Sequence, residues 1–241
     1  MSPVLLAVAH GSRDPAAKEC VLALTRRVAR LADGTRAGAA FVQHEEPSLV
    51  TALDDAVTEA GADGAVLVPL LLSTGYHLSY DIAAAAHAAG VPVARPLGPD
   101  PRLVRALADR LAEAGVPGGV PVVLAAAGSR DPRALAENRL QAAMLAAHRR
   151  APVVAAFVSA ARPDVDEAVT VLAGLTGKPV AVAAYLLAPG LFHDRLALSG
   201  AWVSAPLGDH PAVADVVVGR FRAAAGQSAP VREALAVAAC S

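Results

Sequence analysis

Short apolar runs alternate with longer amphipathic stretches along the chain. Pro3 to Ala9 is apolar throughout and predicts a buried strand. From Pro15 the apolar positions Ala17, Cys20, Val21, Leu24, Val28 and Leu31 recur at three- and four-residue spacing, one face of a helix, and Gly34 lies past its end. Gly38 to Val42 predicts a second strand. Pro47 opens a second helix whose apolar face carries Leu49, Val50, Leu53, Ala56, Val57 and Ala60, closed by Gly61. Ala65 to Leu72 is a third strand ending in Ser73-Thr74-Gly75-Tyr76-His77, and a helix runs on through Asp81-Ile82 and the alanines. Val91 to Ala94 is a fourth strand. Asp100 and Pro101 then start a helix bearing Leu103, Val104, Leu107 and Leu111, with Asp100 as cap and Pro101 in the first turn.

Gly115 to Gly119 reads as a linker, and after it the pattern restarts. Gly-Ser-Arg-Asp-Pro occurs at Gly11 and again at Gly128, each time after an apolar run and before a helical one. Phe157-Val158 matches Phe41-Val42, and Pro163 matches Pro47. Leu186-Leu187 matches Leu71-Leu72, Pro206-Leu207-Gly208 matches Pro96-Leu97-Gly98, and Arg220 matches Arg110. Six landmarks in one order indicate an internal duplication. Strands alternating with helices predict an α/β fold of two similar lobes, each a parallel sheet of about four strands with helices on both faces. Residues 1–116 form the first lobe, 120–225 the repeat and 226–241 a tail, either a terminal helix or a loose end.

Composition narrows the function. The net charge of −1 offers no bulk attraction to nucleic acid or to an anionic membrane. Cys20 and Cys240 are the only cysteines and make no CxxC pair, so neither an iron–sulfur cluster nor a structural zinc site has a ligand set. No signal segment and no apolar run of about 18 residues is present, and the expected location is the cytoplasm. Glycine-rich dinucleotide, Walker A and GxSxG motifs are absent.

The candidate chemistry lies at the carboxyl ends of the strands, where parallel sheets bind ligands. His10 ends the first strand and His77 follows the third, each beside a glycine (Gly11 and Gly75) that lets a flat ligand approach the backbone. Neutral imidazoles bind divalent transition metals and accept protons near neutral pH. Glu45 and Glu46 end the second strand; they add a carboxylate to the rim or complement a helix N-terminus. Arg13 and Arg130 either salt-bridge the neighbouring Asp14 and Asp131 or anchor substrate carboxylates. His87 and His148 fall in helical runs and are expected in solvent, and His210, before Pro211, in a loop or cap.

These motifs resemble the class II tetrapyrrole chelatases of the CbiX and SirB type. The resemblance rests on Ala9-His10-Gly11-Ser12-Arg13-Asp14-Pro15, on Glu46-Pro47-Ser48-Leu49, on Pro69 to Leu72 with Gly75-Tyr76-His77 and Asp81-Ile82, and on Pro96-Leu97-Gly98. It extends more weakly through the repeat to about Phe221. It implies two lobes facing each other over a cleft, with a fused chain able to work as a monomer. It also implies ATP-independent insertion of Fe²⁺, Co²⁺ or by extension Ni²⁺ into sirohydrochlorin, for siroheme or cobalamin. No tightly bound cofactor is implied; the metal is a substrate. His10 and His77 match the family's two active-site histidines, which bind metal and remove pyrrole protons. Gly11, Ser12, Arg13, Gly75 and Tyr76 would contact the ring, with Glu45, Glu46 and His193 as accessory groups. The chain departs from many relatives in carrying Gln43 where they have glutamate, and Ala127 stands in the repeat where His10 stands in the first half. A carrier that delivers metal or tetrapyrrole through the same cleft, without catalysis, is the alternative.

Overall fold

The structure, a computed structural model, describes residues 3–32, 34–60, 64–74, 76–196 and 202–227, without the side chains of residues 60, 76–79 and 227. Strands β1 (Val4–Ala9), β2 (Ala37–Phe41) and β3 (Ala65–Pro69) form one parallel sheet in the order β2-β1-β3. Strands β4 (Val122–Ala126), β5 (Val153–Phe157), β6 (Ala181–Tyr185) and β7 (Trp202–Val203) form a second, in the order β5-β4-β6-β7. The registers repeat: Ala9 lies opposite Phe41 in one sheet and Ala126 opposite Phe157 in the other. The central strands β1 and β4 are apolar along their whole length because both faces are covered.

One expectation fails in the first half. Its fourth strand, Val91 to Ala94, is reduced to a single bridge between Leu67 and Val93. Pro92 occupies the place that Trp202 holds in the repeat and has no N–H to extend the ladder. The first sheet therefore has three strands and the second four. The third strand also stops at Pro69, short of Leu72. Val50 and Leu31, assigned to buried helix faces, are 63% and 41% exposed.

Helix α1 (Pro15–Leu31) covers the inner face of the first sheet, and α2 (Leu49–Ala60) and α3 (Tyr76–Ala89) its outer face. In the second half α5 (Pro132–Arg149) lies inside, and α6 (Val165–Thr176) and α7 (Leu191–Leu196) outside. Because α1 and α2 take opposite faces, β1 is the point where the winding of the sheet reverses, and a crevice opens at its carboxyl end.

The last helix of each half crosses to the other. Helix α4 (Pro101–Glu113) packs on α5 and β6, and α8 (Pro211–Gln227) on α1 and β3. Helix α4 is amphipathic and α8 is apolar on most sides, and Leu103, Leu107, Leu111, Val213, Val216 and Val217 join a core shared by the two sheets. Each fully buried leucine there contributes about 2 kcal/mol relative to exposure. Each helix also sends an arginine back to the Pro-Leu-Gly loop of the other half. Arg220 donates to the carbonyls of Pro96 and Leu97 at 2.8 Å each, and Arg110 to that of Leu207 at 3.1 Å. This exchange explains why the Pro-Leu-Gly loop and the arginine recur together in the repeat.

Asp100 anchors the crossing. It caps α4 through the Arg102 N–H and makes paired bonds of 2.9 and 2.8 Å with the Arg102 guanidinium, while Arg220 lies 3.2 Å away. Burial alone would raise its carboxyl. The hydrogen bonds and charge of Arg102, aided by Arg220, outweigh that and hold it below the usual carboxylate range.

Candidate active site

The two Gly-Ser-Arg-Asp-Pro turns are built alike. Gly11 and Gly128 have φ of 93° and 95°. A Cβ at Gly11 would lie 1.7 Å from the Gln43 carbonyl oxygen, and one at Gly128 1.8 Å from that of Ser159. Glycine is required in both because the loop after the neighbouring strand crosses directly over it. The Gln43 N–H donates to the His10 carbonyl at 2.9 Å, and the Ser159 N–H to that of Ala127 at 3.0 Å. Ser12 and Ser129 accept from the N–H of Asp14 and Asp131, and those aspartates cap α1 and α5. Of the two roles open to Arg13 and Arg130, the ion pair with Asp14 and Asp131 is not formed among the described residues. The carboxylates are used on helix N–H groups instead, so Arg13 is exposed and has no ion-pair partner among the described residues.

His10 leaves the end of β1, exposed, at the centre of the crevice. It lines four cavities of about 200, 330, 510 and 290 Å³ whose walls come from both halves. Gly11, Ser12, Arg13 and His44 share the largest with it. The cavity of about 290 Å³ runs from Ser12 to Gly190, Leu191 and His193. A Cβ at Gly190 would come within 3.7 Å of the Ser12 hydroxyl, so the two rims face each other across the opening.

The accessory groups divide. Glu45 pairs with Lys18 at 2.9 Å, and that ammonium lies 5.9 Å over the Phe41 ring. Glu46 accepts from the Ser48 N–H at 2.7 Å ahead of α2, a helix-start role. His193 reaches the cleft, but its Nε2–H is donated to the Ser204 carbonyl at 3.1 Å. Gly75 and the side chains of Tyr76 and His77 lie outside the described residues; the backbone of Tyr76 and His77 forms the first turn of α3, which follows β3. His87 and His148 are exposed, and His210 caps α8 while contacting Asp109 at 3.2 Å. Among the described residues no group of three or more His, Cys, Asp or Glu side chains could hold a metal ion.

The second half contributes polar groups that the motifs do not reveal. Glu137 on α5 accepts from the N–H and hydroxyl of Thr74 at 2.6 and 2.7 Å, gripping the loop that leads to His77. Tyr185, 2% exposed, donates to the Leu72 carbonyl at 2.9 Å. Burial, with the charges of Glu137 and Asp100, raises its hydroxyl so far that it remains a donor. Gly98 lacks the Cβ that would fall 2.1 Å from that hydroxyl. Asn138 lines the cavity of about 330 Å³ with His10. The one signal for these groups in the sequence is a run of polar residues, Asn138 and Gln141, inside the apolar stripe Ala134, Ala142 and Leu145. Cys20 is a free thiol facing the Leu187 carbonyl at 3.7 Å. Burial and Asp209 push it up to about 11, which makes it unreactive.

The CbiX family model matches this chain twice, over residues 4–114 and 121–224. The chain belongs to the CbiX family. The two matches coincide with the two halves of the duplication. Among CbiX-family and related proteins, the chain is 26% identical over 248 residues to the sirohydrochlorin ferrochelatase of Bacillus subtilis, covering 95% of this chain and 94% of that one. A 78-residue stretch, 32% of this chain and 59% of the other, is 32% identical to the sirohydrochlorin cobaltochelatase of Methanosarcina barkeri. The structure of SirB from Bacillus subtilis with Fe³⁺ superposes with a TM-score of 0.80 at 26% identity, over 95% of this chain and 97% of that one. Two facing lobes around parallel sheets are thus the chelatase-like arrangement. No described helix is long and apolar enough to cross a membrane.

Proposed function

We propose that this protein inserts a divalent metal, Fe²⁺ or Co²⁺, into sirohydrochlorin without ATP. The observation that carries the reading is the position of His10, at the reversal point of the first sheet and on the wall of four cavities that join the two lobes. Full-length similarity to a ferrochelatase, and partial similarity to a cobaltochelatase, supports the substrate and leaves both metals in play. In this reading residues 1–116 carry the chemistry and 120–225 cover the ring.

The metal is held by His10 and His77 on the rim. A site with few protein ligands can release its metal to four ring nitrogens, whereas a closed cage of thiolates would retain it. As the ring takes M²⁺, two pyrrole N–H protons leave, and the charge balances. His10 and His77 accept those protons and pass them to solvent, a transfer by positioned groups worth about 10²–10⁴-fold in rate. The unpaired guanidinium of Arg13, beside His10, holds a carboxylate arm of the ring. Gln43 in place of a carboxylate is the observation that favours a second reading, a carrier that delivers metal or tetrapyrrole without inserting.

One assay separates the two. Protein, sirohydrochlorin and Fe²⁺, Co²⁺ or Ni²⁺ are mixed without oxygen, and the absorption change of metallation is followed. Insertion faster than the protein-free control with at least one metal supports the chelatase. Tight binding of ring or metal with no acceleration supports the carrier.

A further inference from the structure

Helix α5 turns three polar side chains, Glu137, Asn138 and Gln141, toward the first half, and two of them are fully used. Glu137 is occupied by Thr74, and Gln141, fully buried, accepts from the Asp100 N–H at 2.9 Å and donates to its carbonyl at 3.4 Å. Asn138 is 3% exposed and has no hydrogen-bond partner among the described residues. Its carboxamide is not sealed from solvent: what little of the residue is exposed opens into the cavity of about 330 Å³, so the amide is turned to that space and not spent on the fold. The rest of the buried stripe of α5 is either apolar, as Ala134, Ala142 and Leu145 are, or, as Gln141 is, hydrogen-bonded within the fold.

The duplication sharpens the point. The counterpart of Asn138 on α1 is Val21, apolar and 4% exposed. The first half thus pairs His10 with Val21, and the second pairs Ala127 with Asn138. Where the second half lacks an imidazole on its strand end, it has a carboxamide on the facing helix. Both Ala127 and Asn138 line the cavity of about 330 Å³ that His10 also lines, and among the described residues no carboxylate does. Ser129, on the same wall, accepts from the Asp131 N–H and keeps its own O–H to donate. The Ser129 hydroxyl and the Asn138 carboxamide N–H are therefore neutral donors available on this wall.

We propose that Asn138 is a substrate-contacting residue, whose carboxamide N–H, with the Ser129 hydroxyl, binds one carboxylate arm of the tetrapyrrole between the lobes. The inference rests on the tetrapyrrole reading of the cleft and adds a binding role for the second half. Hydrogen bonds from neutral donors to an ionised carboxylate are among the stronger ones.

The test is a fluorescence titration of the full chain with metal-free sirohydrochlorin, alongside thermal melts, for wild type, Asn138→Leu, Asn138→Ala and Asn138→Asp. Asn138→Leu is expected to melt within a few degrees of wild type, because the amide makes no hydrogen bond to the described residues and leucine has a similar size. It is expected to bind the ring about tenfold more weakly. Asn138→Asp is expected to bind more weakly again, since a carboxylate then faces a carboxylate. Leu and Ala variants that bind within twofold of wild type overturn the proposal. So does an Asp variant that binds as tightly as wild type, which would make the ligand group an N–H donor. Melting far below wild type in all three variants would assign Asn138 to the fold and overturn it as well. A wild type that binds no sirohydrochlorin sinks the reading of the cleft itself, which is a different result from a wild type that binds and variants that do not differ.

Discussion

The two halves share a scaffold down to single atoms and differ in the residue that precedes the turn. Gly11 and Gly128 take the same φ for the same reason, a carbonyl oxygen 1.7 or 1.8 Å from where a Cβ would stand. Both serines brace the turn, and both aspartates cap the following helix. Yet His10 precedes one glycine and Ala127 the other. The shared part is geometry that any ligand-binding rim of this shape needs. The unshared residue is where the proposed chemistry falls. In this reading repetition marks scaffold, and a break in repetition marks the candidate for function.

The largest expected effect comes from moving that one imidazole. The double variant His10→Ala/Ala127→His should lose metal insertion by about 100-fold or more, the scale of a positioned acid–base group. Recovery of near wild-type turnover would mean that the halves are interchangeable.

Next come the paired glycines. Gly11→Ala and Gly128→Ala should each cost about 3 kcal/mol in denaturant unfolding, from left-handed backbone strain plus overpacking. The two costs should agree within about 1 kcal/mol, because the clashes are the same. A cost confined to one of them would break the structural equivalence of the turns.

The crossing arginines should differ. Arg220 makes two carbonyl bonds and lies 3.2 Å from buried Asp100, whereas Arg110 makes one carbonyl bond and an exposed pair with Glu113. Arg220→Ala should cost about 2 kcal/mol and Arg110→Ala about 1 kcal/mol. The opposite order in chemical denaturation would show that the two crossings carry unequal loads for another reason.

The smallest signal expected is the acid-side pH dependence that Asp100 contributes. Its carboxyl is held below the usual value of about 4, so the unfolded chain binds the proton more readily than the folded one. Its contribution is fully present above about pH 4 and is lost as the pH falls through the lowered value. Asp100→Asn should lower stability at neutral pH and flatten the loss of stability on the acid side. Parallel stability–pH curves for variant and wild type would contradict the assignment.

Much of this molecule is legible in its sequence. The duplication, the strand–turn–helix junctions, the cap at Asp100 and the rim position of His10 all follow from spacing and residue type. What is not legible has two physical causes. Crossing helices and cross-half bonds such as Glu137–Thr74 and Tyr185–Leu72 join residues 63 and 113 positions apart, which periodicity cannot register. Local competition is the other. Asp14 is drawn to the helix N–H groups rather than to Arg13, Glu46 to Ser48, and Glu45 to Lys18. Pro92 likewise cuts short a strand whose apolar pattern is sound.

The asymmetry of the two halves is tested most directly by single-turnover insertion of Co²⁺ into sirohydrochlorin with His10→Ala and His193→Ala measured side by side. The expected result is a loss of about 100-fold or more for His10→Ala and a change of no more than a few-fold for His193→Ala. A loss confined to His193→Ala would contradict it and move the active site to the second half.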